Sequence, residues 1–228
     1  MNAWRELARA CTTNGDELVL RERAGCVELR CNGWDLMSNR AHHSEEELAI
    51  LACETIPRLG TERAPHVLLG GLGLGYTLRA ALDHLPETAR VTVAELLPEI
   101  IALNRGPLAP FAGNPLADPR VSVACTDIAA LLRAAAPAAF DAILLDTDNG
   151  PESVMLQGNA ALYQADSLRL IRRALRPAGT LAVWSADRSP RFESTLRDAG
   201  FHYLTHDVPA RGAPDDPLHT IYLARAAS

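Results

Sequence analysis

The sequence predicts a doubly wound α/β protein, and three observations lead to this prediction. From residue 66 onward, short aliphatic runs alternate with segments of helical periodicity. The runs are continuously apolar, as in parallel strands whose two faces are covered by helices. Two further apolar runs near the C-terminal end, separated by a turn-rich segment, predict a closing strand pair with an antiparallel last strand.

The first 43 residues predict a small antiparallel sheet. Residues 17–23 and 26–31 are short alternating runs, and Ala24-Gly25 between them predicts a hairpin turn. Asn32-Gly33 is a second turn signal, followed by another short run. We therefore expect a small N-terminal β-hairpin domain over residues 1–43 and a Rossmann-like main domain over residues 44–228.

The elements of the main domain follow in order. Ser44 and Glu47 have the spacing of a capping box, which predicts a helix with Ser44 as N-cap that ends before Pro57. Strands are predicted at 67–69, 90–94, 121–124, 142–145 and 180–184, and the closing pair at 201–207 and 219–224. Helices are predicted at about 75–84, 97–105, 127–135 and 160–175.

Composition limits the classes of function. The net charge of −6 offers no basic excess for phosphate groups, so we expect neither nucleic acid nor a membrane surface as a partner. All 22 basic residues are arginine, which excludes lysine Schiff-base chemistry. The five cysteines form no Cys-x-x-Cys pair and are expected to be reduced and mostly buried. With an N-terminus unlike a signal peptide, they predict a cytoplasmic protein.

A glycine-rich turn after the first main-domain strand is the clearest functional signal. Gly71, Gly73 and Gly75 lie between an apolar run and a helical pattern, and Glu95 ends the next run about 20 residues later. This spacing predicts a bound nucleotide-like ligand whose ribose diol donates hydrogen bonds to Glu95. The alternatives are an ordinary tight turn and a solvated acid at a helix start.

Acidic residues also follow the third and fourth strands, where ligands of open α/β sheets bind. Asp127 can cap a helix, accept a hydrogen bond from the amine of an adenine ring, or do both. Asp146 and Asp148 are two residues apart at the mouth of a buried strand and should raise each other's pKa. They could bind an amine, remove its proton or hold a divalent metal, and the alternative is a turn.

Three further residues are candidates for the border of a substrate site. Tyr163 and Gln164 precede a predicted helix, although helix packing explains them equally well. His43 could line the cleft from the N-terminal side, or it could be a surface group. No acid or cysteine stands at ligand spacing from His42 and His43, so we expect no metal there.

Together, these residues resemble the spermidine synthase family, whose members are aminopropyltransferases built on the class I S-adenosylmethionine-dependent methyltransferase fold. The resemblance extends to residues 39–46 and 175–181. It implies that the glycine turn and Glu95 bind S-adenosylmethionine or its decarboxylated form, and that Asp127 contacts the adenine edge. It also implies that Asp146 deprotonates a small-molecule amine acceptor, and that the protein is a homodimer without a metal.

Two positions differ from the family pattern. Leu74 stands where the family's glycine turn has an Asp that binds the aminopropyl amine, and the second acid of the Asp146 loop comes one place early. Polyamine specificity therefore stays open. The alternatives are an S-adenosylmethionine-dependent small-molecule methyltransferase, with metal assistance through Asp146 and Asp187 as a variant, and a catalytically silent adenosyl-binding protein. A nicotinamide-dependent oxidoreductase fits the glycine turn alone.

Overall fold

A computed structural model describes residues 3–57, 63–147, 149–151 and 159–226. In this part of the chain, an N-terminal sheet of four strands precedes a larger sheet of seven strands that is covered by helices. The predicted α/β class is confirmed.

The N-terminal sheet is an antiparallel meander in the order β1-β2-β3-β4. Its strands are β1 Arg5–Cys11, β2 Glu17–Arg23, β3 Cys26–Cys31 and β4 Trp34–Ser38. The predicted turns at 24–25 and 32–33 join these strands, and all four turn residues have positive φ, as two-residue hairpin turns require. The sequence analysis missed β1, because this edge strand is largely exposed and has no apolar alternation.

The large sheet has the order β10-β11-β9-β8-β5-β6-β7, in which β11 alone runs antiparallel to its neighbours. The strands are β5 His66–Gly70, β6 Arg90–Glu95, β7 Val121–Cys125, β8 Phe140–Leu145, β9 Leu175–Ser185, β10 Phe201–Pro209 and β11 Leu218–Ala226. The helices are α1 His43–Glu54, α2 Tyr76–His84, α3 Pro98–Arg105, α4 Ile128–Ala134, α5 Ala165–Ala174 and α6 Pro190–Asp198. Every predicted strand and helix of the main domain is present.

Helices cover both faces of the large sheet, which explains its continuously apolar strands. Leu69 of β5 belongs to a core shared with α1, α2 and α3, whereas its neighbour Leu68 packs with α4, α5 and α6. Leu20 and Leu29 of the N-terminal sheet are fully buried in the first of these cores. The two sheets therefore contribute to one hydrophobic core.

The predicted capping box at the start of α1 is wrong. The N-cap is His42, and Ser44 lies inside the first turn. The Ser44 side chain is fully buried, and its Oγ accepts a hydrogen bond from Trp184 Nε1 at 3.0 Å and lies 2.8 Å from His219 Nδ1. These distant partners on β9 and β11 engage the hydroxyl, so it does not cap its own helix.

The cysteines differ in part from the prediction. All five lie in the described residues and none forms a disulfide. Cys26 and Cys53 are buried as expected, but Cys11 and Cys125 are exposed at the ends of their strands. Among the described residues, no helix combines the length and apolar character needed to cross a membrane.

Replacing Asp141 by alanine is expected to destabilise the fold by about 2–4 kcal/mol at pH 7. Burial acts to raise the pKa of Asp141, but Arg63, the His66 N–H at 2.7 Å and Arg176 together hold it below its usual value. The substitution leaves these donors without their acceptor. Because the pKa is depressed in the folded protein, the difference from wild type should shrink as pH falls through it.

Urea unfolding at pH 7 and in acid measures this effect. The control is Asp83→Ala, which removes an exposed ion pair with Arg79 on one helix and should cost less than about 1 kcal/mol. Equal losses in the two variants would contradict a structural role for the Asp141 network.

Candidate active site

The residues predicted after four successive strands lie side by side at one edge of the sheet. Backbone hydrogen bonds extend the strand pairing into the loops: Gly71 N donates to Ala94 O at 2.9 Å, and Asp146 N donates to Gly70 O at 2.9 Å. On the other side, Thr126 N donates to Glu95 O at 3.0 Å. The sheet order diverges at β5, so this edge has the topology of a ligand-binding crevice.

The three glycines of the turn all have positive φ, but they differ in what a side chain at each position would contact. A Cβ at Gly71 would collide with the backbone carbonyl of Asp146, and one at Gly75 would lie 3.1 Å from Asn104 Oδ1. Packing within the protein therefore explains these two glycines. Among the described residues, a Cβ at Gly73 would meet only Met37 Sδ, at 3.7 Å, so the backbone there has space for a ligand beside it.

Asn104 of α3 holds the glycine turn, a role that the sequence analysis missed. Its side chain is fully buried, and Nδ2 donates to the carbonyls of Gly73 at 2.9 Å and Ile100 at 3.0 Å. A lone Asn within a helical pattern gives no sequence signal for such a contact.

Glu95 is buried rather than solvated, unlike an ordinary acid at a helix start. Its Oε2 accepts from Leu72 N at 3.0 Å and its Oε1 accepts from Leu97 N at 2.9 Å. Burial raises the pKa of Glu95, and these backbone donors oppose the rise. Each carboxylate oxygen keeps a second lone pair. Glu95 therefore links the glycine turn to the start of α3 and can still accept hydrogen bonds from a ligand.

Asp127 is the N-cap of α4, which confirms the first of its two predicted roles, helix capping. Its Oδ1 accepts from Ala129 N at 2.7 Å. The side chain is exposed at the edge next to Glu95, since β7 pairs with β6. From the described residues, no hydrogen bond reaches Oδ2, which leaves that oxygen available to a ligand.

Asp146 follows β8 and bonds to a residue that the sequence analysis did not select. Thr77, in the first turn of α2, donates from Oγ1 to Asp146 Oδ2. Burial raises the pKa of Asp146 to about 6, and the bond from Thr77 opposes the rise. A carboxyl with this pKa is a suitable proton acceptor near neutral pH.

A second acid, Glu45 in the first turn of α1, lies close enough to Asp146 for their charges to interact. Burial raises the pKa of Glu45 well above its usual value, and the charges of Asp146 and Glu46 raise it further. The second acid expected from the sequence was Asp148, which lies outside the described residues. Glu45 was not expected, because a capping box with Ser44 and Glu47 seemed to explain the acidic run.

The surroundings of Glu45 contain further polar rings. Burial and, to a lesser extent, the charges of Glu45 and Glu46 raise the pKa of Tyr76 to about 12. Its hydroxyl therefore keeps its proton at neutral pH. The His42 ring stacks on Tyr76 with centroids 4.1 Å apart, and its Nδ1 lies 3.0 Å from Glu46 Oε1.

Of the three residues predicted to border a substrate site, only Tyr163 is shown to contact the loop that carries Asp146. Tyr163 donates from its hydroxyl to Thr147 O at 3.0 Å, so it contacts the loop that carries Asp146. Gln164 is exposed and its amide lies 3.5 Å from Ala160 O, within its own turn. His43 faces the β10–β11 turn, where a Cβ at Gly212 would lie 3.4 Å from the His43 ring. Among the described residues, no group of three or more His, Cys, Asp or Glu side chains could hold a metal ion.

Two sequence relatives resemble this chain at low identity. A polyamine aminopropyltransferase of Corynebacterium efficiens is 29% identical over 192 residues, covering 81% of this chain and 35% of the relative. Putrescine N-methyltransferase 3 of Nicotiana tabacum is 28% identical over 119 residues, or 51% of this chain and 29% of the relative. The chain thus spans about a third of the length of these curated relatives. No protein-family model matches it.

Solved structures share the fold over most of the chain. Spermidine synthase from Thermotoga maritima superposes with a TM-score of 0.73 at 18% identity, covering 96% of this chain and 72% of that one. A spermidine synthase in complex with the transition state analogue AdoDATO gives 0.72 at 17% identity, with the same coverage. Human methyltransferase-like protein 13 in complex with SAH gives 0.59 at 20% identity, covering 82% of each chain.

These comparisons agree with the residues at the sheet edge. The relatives named above are transferases, and the structural neighbours include both spermidine synthases and methyltransferases. The predicted resemblance is confirmed: this chain is similar in sequence to a polyamine aminopropyltransferase and shares its fold with spermidine synthases and methyltransferases.

Proposed function

We propose that this chain transfers an aminopropyl group from decarboxylated S-adenosylmethionine to a small-molecule amine. The observation that carries the proposal is the proximity of two acids, Asp146 and Glu45, whose charges interact. Thr77 of α2 donates to Asp146, and the neighbouring Tyr76 stacks on His42 at the start of α1. Both residues are half-buried, and two neighbouring carboxylates in such a place are unfavourable unless a proton or a cation lies between them. A substrate ammonium supplies that cation, as the named aminopropyltransferase and putrescine methyltransferase relatives suggest.

The donor would lie across the carboxyl ends of β5, β6 and β7. In this arrangement Glu95 accepts hydrogen bonds from the ribose hydroxyls, and Asp127 accepts one from the adenine amine. The backbone at Gly73 leaves room beside the glycine turn. Complexes of structural neighbours with AdoDATO and SAH support an adenosyl ligand of this kind.

The reaction would be an in-line displacement at the carbon next to the sulfonium. The lone pair of the acceptor amine forms the new C–N bond while the C–S bond breaks, and methylthioadenosine leaves as a neutral thioether. Asp146 takes the proton that the amine loses. The enzyme contributes mainly by positioning the two substrates and excluding water. Tyr163 and Thr147 support the loop that carries Asp146, and we propose that Tyr163, Gln164, His43 and Asp148 border the acceptor.

The charge of the site favours the decarboxylated donor over S-adenosylmethionine. The donor carboxylate of S-adenosylmethionine would meet the like charges of Glu45 and Asp146, whereas the decarboxylated donor offers only an ammonium group. Leu74 is buried and provides no acid at the glycine turn. Glu45 can supply the missing carboxylate from α1.

Calorimetric titration of the protein with both donors tests this choice. We expect the decarboxylated donor to bind at least about tenfold more tightly, a difference of about 1.4 kcal/mol. Tighter binding of S-adenosylmethionine would contradict aminopropyl transfer and favour the second candidate.

The second candidate is methyl transfer to an amine. It is favoured by Leu74, which removes the family's aminopropyl contact, and by the similarity to putrescine N-methyltransferase. The same base and the same adenosyl site would serve this reaction. In its metal-assisted variant, which uses Asp146 and Asp187, a chelator should abolish methyl transfer. A turnover assay added to this titration identifies a silent adenosyl-binding protein, which would bind a donor without transferring a group.

The activity is expected to rise with pH through about 6, following deprotonation of Asp146. Only the ionised carboxylate can accept the proton of the amine, so the acidic limb of kcat/KM reports this group. Because Glu45 and Asp146 interact, the limb belongs to the pair and should be broader than a single titration. A kcat/KM profile between pH 4.5 and 8 measures it. A flat profile across this range would contradict Asp146 as the base.

We also propose the assembly and location expected from the family resemblance. In this proposal, the chain forms a homodimer through its N-terminal sheet and acts in the cytoplasm. The division into a β-domain at 1–43 and a donor-binding domain at 44–228 belongs to the same proposal. Light scattering of the purified protein tests the dimer, and a mass equal to one chain of 24.6 kDa would contradict it.

A further inference from the structure

A hydrogen-bond network anchors the first turn of α1 to the sheet, one residue before Glu45. Trp184 Nε1 donates to Ser44 Oγ at 3.0 Å, and His219 Nδ1 lies 2.8 Å from the same oxygen. The Trp184 and His219 rings also pack edge to face, with centroids 4.7 Å apart. Trp184 lies near the end of β9 and His219 near the start of β11, so both partners belong to the edge that carries the candidate site.

Trp184 and His219 can both form hydrogen bonds with the Ser44 hydroxyl at the same time. An indole N–H can only donate, so it fills one lone pair of the hydroxyl. Burial lowers the pKa of His219, with Asp187 opposing, and the neutral ring can accept the Ser44 proton through Nδ1. Ser44 is fully buried, so water does not compete for either bond. Both partners therefore restrain the position of Ser44 on the sheet.

We propose that Ser44 is a positioning residue for the transferase site: its bonds to Trp184 and His219 hold Glu45 beside the carboxyl group of Asp146. This inference rests on the proposed function only for its effect on turnover. The N-cap residue His42 makes no side-chain capping bond and stacks on Tyr76 of α2, so the bonds of Ser44 are what tie this turn to β9 and β11. The adjacent anchor then determines how closely the two carboxyl groups approach.

The charged and titratable groups around this pair come from several elements. Glu46 of α1, Tyr76 of α2 and Asp146 after β8 interact with Glu45, and Asp187 after β9 interacts with His219. Repulsion between Glu45 and Asp146 is mutual, so loss of the anchor should relax both groups toward their ordinary titration. A purely structural contact would not change how these carboxyls titrate.

The other end of α1 offers a matched control. Thr55 Oγ1 lies 2.8 Å from Thr180 Oγ1 on β9, so this bond also ties α1 to the sheet. It lies at the opposite end of the helix from Glu45. Thr55→Val therefore removes a comparable anchor without touching the candidate site.

The experiment measures carboxyl titrations by carbon-13 NMR in the full chain, together with the pH profile of kcat/KM. In Ser44→Ala, we expect the titration of the Glu45–Asp146 pair and the acidic limb to move down by about 1 pH unit. Thr55→Val should lose stability without such a shift. In a Glu45→Gln background, Ser44→Ala should cause no further shift, because the two residues then act through one interaction.

The outcomes separate this inference from the proposed function. A shift of the carboxyl titration in Ser44→Ala that vanishes in the Glu45→Gln background supports the positioning role. Unshifted titration in Ser44→Ala, or equal shifts in Ser44→Ala and Thr55→Val, would overturn it. The NMR readout needs no turnover, so absence of transferase activity in the wild type would count only against the proposed function.

Discussion

Replacing Asp146 by asparagine is expected to lower kcat by about 10²–10⁴-fold, because the amide cannot accept the proton of the attacking amine. The change keeps the size of the half-buried side chain and removes its charge. The Thr77 hydroxyl can still donate to the amide oxygen. Single-turnover assays with saturating decarboxylated donor and a diamine measure the effect on the chemical step.

Donor affinity and stability are the controls for this substitution. Asp146→Asn should bind the donor within a few-fold of wild type, since Glu95 and Asp127 are unchanged. The variant should also unfold no more easily than wild type at pH 7, because ionising a buried acid whose pKa is raised weakens the fold as pH rises through that pKa. Unchanged turnover with intact donor binding would instead indicate a role other than proton acceptance for Asp146.

Replacing Glu95 by glutamine is expected to weaken donor binding by about 100-fold, or about 2.7 kcal/mol. The ribose hydroxyls lose a charged acceptor, and the new amide group must turn a donor toward Leu72 N or Leu97 N. Hydrogen bonds to a charged partner contribute about 1.5–3 kcal/mol each, so an effect of this size needs only one or two. Calorimetric titration with methylthioadenosine measures it.

Glu99→Gln is the matched control for Glu95. Glu99 lies on α3, four residues further on, and does not end a strand. Its substitution should change the affinity for methylthioadenosine by less than about twofold. Equal losses in Glu95→Gln and Glu99→Gln would show a general effect of negative charge rather than a ribose contact.

The sequence predicted the parallel sheet well, because its physical signals are local. Apolar runs such as 67–69 and 142–145 bury both faces, and the helices between them have their own periodicity. The glycine turn and the acids at strand ends also predicted the edge of the site. Parallel strands end at the same edge of the sheet, so residues that directly follow them lie close together. The edge strand β1 escaped prediction because little of its surface is buried.

The missed site residues all depend on contacts between distant parts of the chain. Glu45 and Asp146 are 101 positions apart in the sequence, and only the packing of α1 on the sheet brings them together. Ser44 matched a capping box, but Trp184 and His219 engage its hydroxyl instead. Thr77 and Asn104 likewise look like ordinary helix residues until the glycine turn is in place.

Every proposed role at this edge requires an adenosyl nucleoside to bind across the carboxyl ends of β5, β6 and β7. A crystal structure of the protein soaked with methylthioadenosine shows whether it does. We expect the ribose on Glu95, the adenine amine on Asp127 and the thioether directed toward Asp146. Crystals that bind no nucleoside there, or a nucleoside held without Glu95, would contradict it.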